Sequence, residues 1–298
     1  MTRSGLVRWA YTGVATGLLA LGGVLMPAAT ASAGAAPVPA GYWEVASDGG
    51  VFTFGAATYF GSMGATHLNA PIVGMAPTAG GRGYWLVASD GGVFAFGDAT
   101  FFGSAATLAL NAPIVGITAT PDDHGYWLVG ADGGVFTYGD AGFYGSWPSQ
   151  NPQSGRSLPP WPIIALVASP NGLGYTLANS NGMGGYTYGD FGTCQVGIEG
   201  PLSAEYTAVA AVAGSSGDSC WVTSRDGGVF AGGSALFYGS MGGRHLNAPV
   251  VGMALPPDEA GYWLAAADGG VFAFGHAAFL GSMGGTALNM PIVGIAAS

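Results

Sequence analysis

The chain has 298 residues, of which 56 are Gly and only 7% are charged, with a formal net charge of −10. Lys is absent, and the six basic residues are Arg3, Arg8, Arg82, Arg156, Arg225 and Arg244. This balance excludes a nucleic-acid binder, which needs a basic face. The apolar, weakly charged composition also excludes disorder and disfavours long exposed helices.

Residues 1–33 read as a secretory signal. Arg3 and Arg8 precede an apolar stretch from Val14 to Met26, and Ala31-Ser32-Ala33 supplies a small-residue cleavage site. Residues 34–40 form a short linker, and 41–298 form the folded domain. No later segment reaches the ~18 apolar residues of a membrane span. A secreted, extracellular protein with no membrane span after cleavage is therefore expected. Its mature chain keeps four Arg against 16 acids, about −12.

From Gly41 onward the sequence repeats. Gly-Tyr-Trp opens units at 41, 83, 125 and 261, and diverged units start at Gly174 and Ser219, giving spacings of 42, 42, 49, 45 and 42. Four short strands are predicted in each unit, here in the second: Ile72–Ala76, Tyr84–Ala88, Val93–Phe96 and Thr100–Phe102. The turns between them carry Asp90-Gly91-Gly92 and Gly97-Asp98, which are hairpin signals. The first unit has no Ile-Val-Gly strand before it, and the last ends with one, Pro291–Ser298, that no Gly-Tyr-Trp follows. The expectation is an all-β, six-bladed β-propeller with about 42 residues per four-stranded blade, closed by pairing of the C-terminal strand with the first repeat.

The second unit reads GYWLVASDGGVFAFGDATFFGS and continues to a linker. It resembles the repeats of a group of actinobacterial exported proteins over about residues 41–298. That group has no settled activity, so the resemblance implies export and a β-propeller-like fold but assigns no catalytic residue. The fourth and fifth units depart from the pattern at Thr176, Asn181, Cys194 and Cys220.

Most conspicuous residues have a structural explanation. Asp48, Asp90, Asp132, Asp226 and Asp268, with Asn181 in the fourth unit, fit turn chemistry better than calcium, which needs six or more oxygens. Trp43, Trp85, Trp127, Trp221 and Trp263 fit packing between blades. Cys194 replaces an aromatic such as Phe102, and Cys220 replaces the Tyr of the next unit; in an exported chain they are expected to form a disulfide. No metal site or cofactor motif is read, and His124 and His276 are scattered. Nor is there a nucleophile elbow or an HExxH motif. Function is expected where the copies differ. Trp147 and Trp161 flank a long linker that holds Arg156 and align with no repeat position. His67 and His245 share one linker position. These five are the candidate ligand-binding residues.

The reading that follows is a monomeric, non-catalytic binding or scaffold module for cell-wall or extracellular polysaccharide. The alternatives are an extracellular hydrolase with its site at a central channel mouth, and a structural or protein-interaction surface component.

Overall fold

The computed structural model describes residues 40–147, 159–192, 194–197 and 207–298. The expected signal segment and Arg156 lie outside these residues. No helix among them is long and apolar enough to cross a membrane.

In chain order the strands are β1 (Gly41–Ala46), β2 (Val51–Gly55), β3 (Ile72–Pro77), β4 (Gly83–Ala88), β5 (Val93–Gly97), β6 (Ile114–Ala119), β7 (Gly125–Gly130) and β8 (Val135–Gly139). Then come β9 (Ile163–Ala168), β10 (Gly174–Asn179), β11 (Gly182–Gly189), β12 (Val196–Gly197), β13 (Ala208–Ala213), β14 (Ser219–Ser224) and β15 (Val229–Gly233). The last are β16 (Val250–Ala254), β17 (Gly261–Ala266), β18 (Val271–Gly275) and β19 (Ile292–Ala297). They form six separate antiparallel sheets: β19-β1-β2, β3-β4-β5, β6-β7-β8, β9-β10-β11-β12, β13-β14-β15 and β16-β17-β18.

This overturns the expected six-bladed β-propeller of four-stranded blades. Among the described residues, five of the six sheets have three strands, and no sheet closes on itself. The expected outer strand, Thr100–Phe102, joins no ladder. The reason is chemical. The Trp85 indole donates to the Thr100 carbonyl at 2.7 Å, and the Phe102 amide donates to the Tyr126 hydroxyl at 3.1 Å. Side chains from the central strands thus take the groups a ladder would have used. Among the described residues only the sheet of the fourth unit, which has Thr176 in place of Trp, gains a fourth strand, with Met183 opposite Val196; that strand aligns with Ser104–Ala105, not with Thr100–Phe102.

The central strand of every sheet is buried along its whole length. Alternation then sends its side chains to two different neighbours. Trp85 and Val87 pack with Tyr126 and Leu128 of the next sheet, while Tyr84 and Leu86 pack with Trp43 and Val45 of the preceding one. The Trp–Tyr ring centroids lie 5.7 Å apart in the first pair and 5.4 Å in the second. Burying each such ring is worth about 4–6 kcal/mol gross.

The C-terminal strand β19 pairs with β1, placing Tyr42 opposite Ala297 and Trp43 opposite Ala296. The first strands also touch in sequence: β3 meets β6, β6 meets β9, β9 meets β13, β13 meets β16, β16 meets β19, and β19 returns to β3. The sheets are thus neighbours in a cycle, joined by side-chain packing and not by one continuous ladder.

Candidate functional site

Thr100–Phe102 is the local unit of the site. Thr100 and Phe101 are both exposed, while Phe102 is partly buried. Phe102 packs on the Tyr126 ring at 5.8 Å, and the Tyr126 hydroxyl donates to the Gly103 carbonyl at 2.5 Å. Gly103 has φ 135°, and a Cβ there would lie 2.7 Å from the Tyr138 ring, so only Gly fits. Phe101 is left exposed between two pinned neighbours.

The arrangement recurs. Trp43, Trp127, Trp221 and Trp263 donate to the carbonyls of Thr58, Gly142, Leu236 and Ala278, each 15 residues on. Tyr84, Tyr175, Tyr262 and Tyr42 donate to the carbonyls of Gly61, Gly145, Gly239 and Gly281. Between each pair of clamps stands one outward aromatic. Tyr59, Phe101, Phe143, Phe237 and Phe279 are 55–61% exposed. Such large apolar side chains usually sit inside, and here five occupy one repeated position.

The fourth unit lacks this device. It has Thr176 for the clamping Trp, Cys194 for the inward aromatic and Thr193 for the outward one, while the fifth unit has Cys220 for the clamping Tyr. Cys194 and Cys220 form a disulfide, with Cα atoms 6.1 Å apart. A covalent bond therefore stands where the other junctions have a Tyr clasp. Such a bond belongs to an oxidising environment.

The sequence-predicted candidates are dispersed. His67 lies in a groove of about 330 Å³ that Phe101 also lines. His245 lines a different pocket of about 780 Å³ with Arg225 and Arg244. The two equivalent histidines therefore do not share one pocket. Trp161 is 38% exposed. Trp147 is buried against Tyr186, with ring centroids 4.7 Å apart. Its reading as a residue outside the repeat is corrected. Its amide donates to Gly133 O at 3.1 Å, as the amides of Met63, Ala105 and Met241 do to Gly49, Gly91 and Gly227.

The turn acids behave as expected of turns. Oδ1 of Asp48, Asp90, Asp132, Asp226 and Asp268 accepts from the amide two residues on. In the fourth unit the capping side chain is Asn179, not Asn181, and it accepts from the Asn181 amide at 2.8 Å. The register explains the shift: Asn179 pairs with Gly182, leaving only Ser180 and Asn181 in the loop.

At the other end of the strands, exposed Asp122, His124 and Asp140 come within 4.8 Å of one another. The Thr120 hydroxyl, then the His124 amide, hold the Asp122 carboxyl down at about 2. Related networks recur in other units, with Thr78 and Arg82 on Asp98 and with Asn171 on Asp190. The cluster is one version of a repeated turn.

The outward aromatic was the signal missed in the sequence. It was visible as the first aromatic of Phe101-Phe102-Gly103 and its equivalents, but an outer strand was expected to absorb it. Fold and site together define an all-β repeat protein of six small antiparallel sheets, with a clamped aromatic on five of its units. Compared with known proteins, the chain matches no family model and no curated protein.

Proposed function

We propose that this protein is a secreted, monomeric, non-catalytic binding module that holds extracellular or cell-wall glycan on its exposed aromatics. The observation that carries this reading is the series Tyr59, Phe101, Phe143, Phe237 and Phe279, outward at one repeated position. A sugar ring presents a face of C–H groups that stacks on an aromatic ring, and such contact needs no charge. That suits an acidic surface without Lys. The buried Trp and Tyr clamps support the reading further. They hold the backbone on both sides of each aromatic, so little ordering entropy remains to be lost on binding. The disulfide and the resemblance to exported actinobacterial repeat proteins support secretion.

The test is retention of the mature protein on insoluble cell-wall polysaccharide. Wild type is expected to be retained, and the triple variant Phe101→Ala, Phe143→Ala, Phe279→Ala is expected to elute with the unbound fraction. These side chains are exposed, so the variant should fold. Absence of wild-type retention, or equal retention of the triple variant, contradicts the proposal.

A further inference from the structure

One pocket stands apart from the aromatic series in its chemistry. About 780 Å³ in volume, it is within the range of small-ligand sites. Arg225, Arg244 and His245 all line it and are all exposed. From Gly41 onward the chain has only four Arg, so half of them meet at this place.

The repeat shows that neither arginine is needed by the fold. Arg225 occupies the position of Ser47, Ser89, Ala131, Ser180 and Ala267, and Arg244 that of Thr66, Leu108 and Thr286. Two positions that hold neutral residues in the other units both hold Arg in this one, and they converge on one cavity. Their main chains are fixed: the Arg225 amide donates to Thr207 O at 3.1 Å, its carbonyl accepts from Val250 N at 2.9 Å, and the Arg244 amide donates to Met241 O at 2.9 Å. Among the described residues the ion pairs are those of Arg82 and His124, so neither guanidinium has an acidic partner there. Asp226 also lines the pocket, but its Oδ1 is occupied by the Ser224 hydroxyl and the Gly228 amide.

We propose that this pocket binds a small ligand that carries an oxyanion, a carboxylate or a phosphate. Two guanidinium forks match the paired oxygens of either group, and His245 adds a ring N–H donor. One guanidinium offsets Asp226 and the other leaves an excess positive charge. This site is independent of the aromatic series and takes a ligand of different chemistry.

Titration calorimetry of the mature protein at low salt tests it, with galacturonate, glucose 6-phosphate and neutral glucose as probes. At least one anionic probe is expected to bind about tenfold or more tightly than glucose. Which one binds distinguishes carboxylate from phosphate. Arg225→Gln and Arg244→Gln are each expected to weaken it about tenfold without lowering the melting temperature, and 0.5 M salt to weaken it strongly. The triple aromatic variant should bind these probes as wild type does, so failure of the glycan-retention reading leaves this result untouched. No anionic binding, equal binding of glucose, or full affinity in the double Arg225→Gln, Arg244→Gln variant overturns the proposal.

Discussion

Glu44 breaks the repeat at a buried position. Its equivalents are Leu86, Leu128, Leu177, Val222 and Leu264, yet Glu44 is completely buried in β1. It shares the face of Tyr42, which packs against Trp263 and Ala265. Its Oε2 accepts only a long bond from the Met283 amide, at 3.4 Å, and its Oε1 has no partner. Burial, first, and then the nearby Asp268 charge push its pKa up to about 8 from 4.5. Below pH 4.5 the proton is bound in both folded and unfolded chains. Between 4.5 and about 8 only the folded chain keeps it, so this contribution to stability falls as pH rises, by about 1.4 kcal/mol per pH unit. Replacing Glu44 with the Leu of its sister units removes the effect. Urea denaturation across this range should show Glu44→Leu gaining steadily on wild type as pH rises. A stability difference that does not change with pH contradicts this account of Glu44.

At the scale of the element, the side-chain clamp replaces a fourth strand. Tyr126→Phe keeps the ring on Trp85 and removes only the hydroxyl that serves Phe102 N and Gly103 O. A loss of about 1 kcal/mol is expected, with faster amide exchange at Phe102. Unchanged stability and exchange would show that the clasp holds nothing. The clamp also explains what could be read in the sequence. Tyr84–Ala88 and Val93–Phe96 were legible because hydrophobic runs bounded by Asp-Gly-Gly report a hairpin directly. The pairing of the chain ends was legible because β1 lacked a partner that Pro291–Ser298 could supply. Thr100–Phe102 misled because its aromatics have strand propensity, while the decisive partners are an indole 15 residues earlier and a hydroxyl in the next unit. Propensity does not see such contacts. Trp147 was misread for a related reason: the long linker after it hid its alignment with Met63 and Ala105. Of the candidate site, His245 alone pointed to a pocket with unusual chemistry, and Arg225 was legible only once the fold brought it beside Arg244.

For the whole molecule, the cycle of sheets distributes five aromatics over five units and leaves the disulfide-bonded junction between the fourth and fifth units without one. Several weak contacts on one rigid scaffold suit a polymer, because each further contact becomes an intramolecular event. The glycan account therefore predicts a graded response. The most direct measurement is polysaccharide affinity across a series in which Tyr59, Phe101, Phe143, Phe237 and Phe279 are changed to Ala one after another. The account predicts that affinity falls at every step and that the fully substituted protein, still folded, no longer binds. Full affinity in that last variant, or complete loss from the first substitution alone with no further change, would contradict it.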